Sequence, residues 1–227
     1  MLYKALNLDG TPCHGGTGRW HLPPAGRPGT WMPAIQGELI PCRRGYHLCR
    51  PEHLSQWLGP AIYEAEADGE VQEKPDKVVA RQARLLRRVE TWNSRTQRLF
   101  AADCAEHVLH LWEARYPSDM RPRHTIAVAR RYARGEATVD ELHAAADDAF
   151  YAATYASTYA ATKADDAFYA AADASFYAAA DASNAADASF YATAAASNAA
   201  DAADAAYAAE RTWQNARLFR YLRGDVS

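Results

Sequence analysis

Between Ala144 and Ala209 more than half of the positions are alanine, and not one is Leu, Ile, Val or Met. Burial energy scales with apolar area and alanine supplies little of it, so this segment cannot build a conventional aliphatic core. Alanine is the best helix former, and no Gly or Pro occurs from Glu136 to Arg223, so the segment must be helical. It is also repetitive. FYAAADAS occupies positions 168–175 and again 176–183, and DDAFYAA at 147–153 returns at 165–171. That second offset, from position 147 to position 165, amounts to five full helical turns and returns each copy to the same face.

On one continuous wheel drawn for positions 145–206, the third facing away from the aromatics has 25 positions, 22 of them alanine. The exceptions are Lys163, Asp181 and Ser189. The other side carries Phe150, Tyr151, Tyr155, Tyr159, Phe168, Tyr169, Phe176, Tyr177, Phe190 and Tyr191 with nearly all the aspartates. An alanine stripe lets another helix approach closely, and the rings supply the area that alanine lacks. A single helix of this length would reach ~93 Å at about 1.5 Å per residue, so two or three long antiparallel helices are expected, with reversals near Thr158–Lys163 or Ser183-Asn184. Arg217, Arg220 and Arg223 suit the last turns of a closing helix through its dipole, with Gly224 as the stop.

Upstream, the hydrophobic period changes twice. Leu99, Ala102, Ala105, Leu109 and Trp112 predict an amphipathic helix from about Asn93 to Arg115, ending before Pro117. A second helix starts at Arg121-Pro122-Arg123 and stops at Gly135. Thr138-Val139-Asp140-Glu141 then reads as a capping box that opens a third. Residues 1–89 instead show short apolar pieces bounded by turn formers: Leu2–Leu6, Glu38–Ile40, Tyr46–Cys49 and a short helix over Glu52–Leu58. Ile62–Ala67 and Lys77–Leu85 read as paired strands. The expected fold is thus a small β-rich α+β domain at 1–89, followed by an all-α domain at 90–227 with long Ala/Tyr-rich helices, mostly α overall.

Charge and cysteine content narrow the function classes. The formal charge is -3, which gives no polycation for nucleic acid. Residues 1–143 carry 20 basic and 17 acidic side chains against 5 and 11 in 144–227, so the tail is acidic. The run Arg81, Arg84, Arg87, Arg88, Arg95 and Arg98 with Trp92 and Phe100 could pair charge with stacking. Solvated use, or use within the molecule facing the acidic tract, is the stronger reading. No membrane span or signal peptide is recognisable, and four cysteines do not make a disulfide scaffold, so a cytoplasmic protein with free thiols is expected.

Cys13, Cys42, His47 and Cys49 could hold a structural zinc, but the spacing lacks tight ligand pairs and buried thiols are the blander account. Cys104, His107 and His110 form a weaker cluster on a helix that also carries Leu109 and Trp112. No phosphate loop or nucleophile motif is present, and adjacent pairs such as Asp147-Asp148 point ~100° apart on a helix. No catalytic residues are assigned and no cofactor is expected.

The middle of the chain carries a likeness. Arg98–Leu109 with its Asp103-Cys104-Ala105-Glu106 step, Arg121-Pro122-Arg123, Arg134-Gly135-Glu136 and the Ala/Tyr-rich tail resemble the Imm-5-like immunity proteins of bacterial polymorphic toxin systems, over about residues 92–223. Residues 1–89, with Gly45-Tyr46-His47-Leu48-Cys49, resemble an uncharacterised bacterial or phage domain. The resemblance implies a non-enzymatic helical protein that binds and neutralises a toxin partner. The acidic, tyrosine-bearing face fits that role, with Tyr151, Tyr155, Tyr169, Tyr177, Tyr191, Asp148 and Asp166 as candidate contacts and Arg121 and Arg123 as an anion grip. Two alternatives stand beside it. Residues 1–89 could be an enzyme or nucleotide-binding module, with a pocket around Tyr3, His14 and His47 and the helices as its oligomerising arm. The helices could also be a structural scaffold, and the alanine stripe allows a homodimer.

Overall fold

The computed structural model describes residues 1–158, 163–180, 185–199 and 203–226. These divide into two compact units, Met1–Asn93 with Leu222–Gly224, and Ser94–Tyr221 with Asp225–Ser227. The first is a β-sheet with a 3-10 turn, and the second is all helical, as the change of hydrophobic period requires.

The first unit is a four-stranded antiparallel sheet of β1 (Leu2–Leu6), β2 (Tyr46–Leu48), β3 (Ala61–Glu73) and β4 (Val78–Arg88), in the order β1-β3-β4-β2. A 3-10 turn over Pro51–Gln56 stands where a short helix is expected. Glu38–Ile40 forms no strand, only an isolated bridge from Ile40 to Arg44. The core gathers Leu6, Trp20, Met32, Leu48, Tyr63, Val78 and Leu85. Gly45 has φ 142, and a Cβ there would collide with the Val79 side chain, so the turn into β2 requires glycine. The irregular segment before β2 also serves the sheet. Gly29, Met32 and Ile35 donate backbone N–H bonds to the carbonyls of Leu85, Ala83 and Arg81 at 2.8, 2.9 and 2.9 Å. These bonds satisfy the edge of β4 beyond the short β2.

Arg81, Arg84 and Arg87 of the arginine run are absorbed by this hairpin. Arg87, Arg84 and Arg81 pair with Glu64, Glu66 and Glu70 of β3, the first two across the strand register. Their partners are therefore glutamates of the neighbouring strand rather than the acidic tract. Sheet register, invisible in a linear charge count, decides this.

The helical unit comprises α1 (Ser94–Arg115), α2 (Arg121–Ala133), α3 (Val139–Thr158), α4 (Lys163–Ala180), α5 (Ala185–Ala199) and α6 (Ala203–Arg223). The capping box forms at the start of α3: Thr138 N–H donates to Glu141 Oε2 at 2.7 Å, and Glu141 N–H to Thr138 Oγ1 at 3.2 Å. Each end of the box thereby satisfies an amide that the first helical turn leaves open. Gly135 at φ 77 closes α2, with Glu136 N–H reaching back to Arg131 O at 2.8 Å. A left-handed glycine just past the last turn is the usual helix stop. The residues that join α3 to α4, and Ser183-Asn184, lie outside the described residues. The helices on either side run antiparallel, with Phe150 meeting Phe176 and Tyr177 meeting Tyr191.

The alanine stripe is the packing face. Ala149, Ala152, Ala167, Ala171, Ala174, Ala178, Ala188, Ala192 and Ala195 are fully buried. Helix α1 packs on α2, α4 and α5; it is buried all round from Thr96 to Ala105, and beyond that on the side of Val108, Leu109 and Trp112. Its bulky Leu99, Phe100, Leu109 and Trp112 provide the apolar area that the facing alanines lack.

Because small residues set the helix spacing, enlarging one must push two helices apart. Ala171→Leu should cost about 1–3 kcal/mol in a denaturant titration. The same change at exposed Ala205 should stay within about 0.5 kcal/mol.

Candidate partner-binding surface

Alanine packing leaves the polar groups of long helices close together, and one carboxylate collects them. Asp103, in the apolar stretch of α1, is 7% exposed. Its Oδ1 accepts from Arg130 Nη2 at 2.7 Å, and its Oδ2 from Arg217 Nε at 2.6 Å and the Tyr221 hydroxyl at 2.5 Å. A single side chain thus joins α1, α2 and α6. Glu106, one turn on, takes Arg130 in a fork at 2.8 and 2.6 Å. Such bidentate, charge-assisted bonds are the strong ones. These acids raise the Arg130 pKa further, and burial with the Asp103 charge raises that of Tyr221. Arg217 is therefore committed to Asp103, not to the end of its own helix as the dipole argument expected.

The same logic continues along α6. His107 Nδ1 lies 2.7 Å from Glu210 Oε2, and its ring stacks on Trp213 at 3.8 Å. Gln214 donates to Glu210 Oε1 and Ser189 O, each at 2.9 Å, which ties α6 to α5. Arg98, buried on α1, donates to Ala178 O and Ala179 O at 3.2 and 2.9 Å. It so satisfies the C-terminal carbonyls of α4, where a cation also meets the negative end of the helix dipole. His107 and its neighbours Asp103, Glu106, Trp213 and Arg217 line an open depression of about 340 Å³.

The aromatic side of the tract forms one connected ribbon. Tyr151 contacts Phe150 (centroids 6.0 Å), Phe150 contacts Phe176 (5.7 Å), Phe176 contacts Tyr177 (4.9 Å), and Tyr177 stacks on Tyr191 (5.1 Å). Tyr191 also meets Phe190 at 5.4 Å and Tyr169 at 6.4 Å, so the ribbon crosses α3, α4 and α5. Its ends are open: Tyr151 is 63% exposed, Phe190 57% and Phe150 49%. Asp147, Asp148, Asp166 and Asp187 on the same helices are exposed too.

The predicted contact residues thus separate. Tyr151, Tyr155, Asp148 and Asp166 are exposed, with Tyr155 edge-on to Tyr116 at 6.2 Å. Tyr169, Tyr177 and Tyr191 are half-buried in the ribbon's interior, where burial raises the pKa of Tyr177 to about 12. Asp173 is buried beneath them with the Tyr169 hydroxyl bonded to it, and burial raises its carboxyl pKa. Arg121 and Arg123 are held by Asp119 and Glu113 at 2.5 Å each.

In the first unit, the Cys42 N–H donates to His47 Nε2 at 2.8 Å, which occupies one of the two ring nitrogens that can ligate a metal. Burial raises the thiols of Cys13 and Cys49, the latter to about 12. Cys104 is fully buried. Among the described residues no group of three or more His, Cys, Asp or Glu side chains could hold a metal ion. His14 and His47 do line a common cavity of about 810 Å³; Tyr3 does not. Among the described residues no helix is long and apolar enough to cross a membrane.

A buried α1, tied by its Asp103 step to flanking helices and packed against alanine-striped ones, is the core of the helical unit. The family model described as "Imm-5 like putative immunity protein" matches residues 87–220, more than half of the chain, and the chain belongs to this family. Neither the curated proteins nor the solved structures contain a match. The Asp103-Cys104-Ala105-Glu106 step is the polar centre of this chain's helical unit. Sequence reasoning alone does not assemble Asp103, Glu106, Arg130 and Tyr221 into a cluster. The signal it offers is one acid inside Phe100-Ala101-Ala102-Asp103-Cys104-Ala105, which burial obliges to be paired.

Asp103→Ala should destabilise the helical unit by about 3 kcal/mol in equilibrium unfolding, since half-buried Arg217 loses its counter-charge, Tyr221 loses its acceptor, and Arg130 keeps only Glu106. Asp173 behaves oppositely. Its folded pKa is raised, so the folded state binds its proton more tightly, and stability contributed in acid is lost as pH climbs from the ordinary carboxylate value through the raised one. Asp173→Asn should therefore raise Tm at pH 7 and leave it unchanged well below the ordinary carboxylate value, as read by thermal scans at both pH values.

Proposed function

We propose that the chain is an immunity protein that neutralises a toxin by occlusion, without catalysis, and that the covering surface is the aromatic ribbon with its exposed aspartates. The observation that carries this is the continuity of the rings: Tyr151, Phe150 and Phe190 are left open to solvent at the ends of a ribbon whose middle is rigidly packed. Large rings held in place offer contact area at little entropic cost, which is how binding hot spots are built. Asp147, Asp148, Asp166 and Asp187 give the face a negative field suited to a basic toxin surface and fast association. In this arrangement Tyr151, Tyr155, Asp148 and Asp166 touch the toxin, while Tyr169, Tyr177 and Tyr191 hold the ribbon's shape. Arg121 and Arg123, already paired, sit outside the contact.

Support for the reading comes from the family and from where the exposed rings lie: the large exposed aromatics among the described residues, Phe150, Tyr151, Tyr155, Phe190 and Tyr207, all come from the alanine-rich helices. A purely structural scaffold would have no use for them.

The test is growth protection against the toxin together with binding kinetics. Phe150→Ser with Tyr151→Ser should weaken the complex at least ~30-fold through faster dissociation, as loss of about 2 kcal/mol of hot-spot contact requires. Asp148→Lys with Asp166→Lys should instead slow association and flatten its salt dependence. Wild-type protection and kinetics in both variants would refute the surface.

A further inference from the structure

The cavity of the first unit is lined by charge of one sign. Lys4, Arg43, Arg44 and Lys77 are among the residues that line it, and none of its described lining residues is Asp or Glu. Lys77 is balanced by Asp76 at 3.0 Å. Lys4 has no such balance: its ammonium lies over the Trp20 ring, 5.3 Å from the centroid, and the titratable groups felt around it are the thiols of Cys13 and Cys49. Burial holds the Lys4 pKa below the ordinary lysine value, as expected for a cation removed from water with no carboxylate beside it. Arg43 and Arg44 are exposed at the cavity and carry no ion pair among the described residues.

Lys4 is held by a ring instead, and Lys77 meets a ring in addition to Asp76. Lys77 Nζ lies 4.6 Å from the Trp57 centroid, as Lys4 lies over Trp20. A ring quadrupole orients a cation without neutralising it, so the positive charge of Lys4 stays available to an incoming anion. The cavity volume of about 810 Å³ is that of a small-molecule site. At the same wall Cys42 adopts φ 63, the only non-glycine residue with positive φ among those described, which turns its N–H onto His47.

We propose that this cavity binds a small phosphate-bearing molecule of about nucleotide size, with the Lys4 ammonium as the buried counter-charge and Arg43 and Arg44 gripping at the rim. A phosphate would supply the acceptor oxygens that Lys4 and the two arginines lack, while Trp20 and Trp57 would contact the remainder of the ligand. This site is separate from the toxin-covering face and its fate does not depend on that reading.

Titration calorimetry of the full-length chain with AMP, ribose 5-phosphate, pyrophosphate and adenosine tests it. At least one phosphate compound should bind, adenosine should bind at least ~10-fold more weakly than AMP, and affinity should fall as salt rises. Lys4→Met, which keeps length and apolar character, should weaken phosphate binding ~10-fold or more. Because Lys4 is part of the core wall, Arg43→Ala with Arg44→Ala, both at exposed positions, provides a second variant that cannot fail through misfolding of the core, and it should weaken binding several-fold. No binding by any phosphate compound at millimolar concentration, equal binding of adenosine and AMP, or unchanged affinity in both variants would overturn the proposal.

Discussion

The pairing of Asp103 with Arg130, Arg217 and Tyr221 is the interaction on which the helical unit depends. Alanine-striped helices pack closely but bury little apolar area per residue, so their assembly lacks the usual hydrophobic margin. A buried, fully bonded carboxylate adds what such packing lacks, namely register. It fixes α1 against α2 and α6 at one point, and Arg98 on the carbonyls of Ala178 and Ala179 fixes α4 at another. Between those points the alanines need only fit.

That division of labour frees the opposite face. Rings that would fill a core in an ordinary bundle are strung across α3, α4 and α5, packed in the middle and open at the ends. The repeat accounts for part of this: its copies place ring pairs at 150–151, 168–169 and 176–177 with alanines on the reverse, and α5 adds Phe190 and Tyr191 from outside either repeat. Asp173 is an acid of the repeat that helix packing carries inward. It is held by Tyr169 instead of a cation.

Local chemistry was the legible part. The Thr138/Glu141 box, the stops at Gly135 and Gly224, the β3–β4 pair and the alanine stripe all follow from neighbours within a few residues. Pairings between distant segments were not legible: Asp103 and Arg217 are brought together only by the fold, and Arg84 and Arg87 find Glu66 and Glu64 only through strand register. The aromatic face was readable as a face. Which tyrosines stay open was not, because one wheel cannot say where neighbouring helices will cover it.

Hydrogen–deuterium exchange on the full chain, free and bound to its toxin, addresses the central claim most directly: that alanines pack the helices while the aromatic, acidic side meets the partner. The account predicts new protection concentrated in α3 and α4 around Phe150–Tyr155 and in α5 around Phe190. Protection confined to residues 1–93, or to the depression around His107 and Trp213, with α3–α5 unchanged, would contradict it.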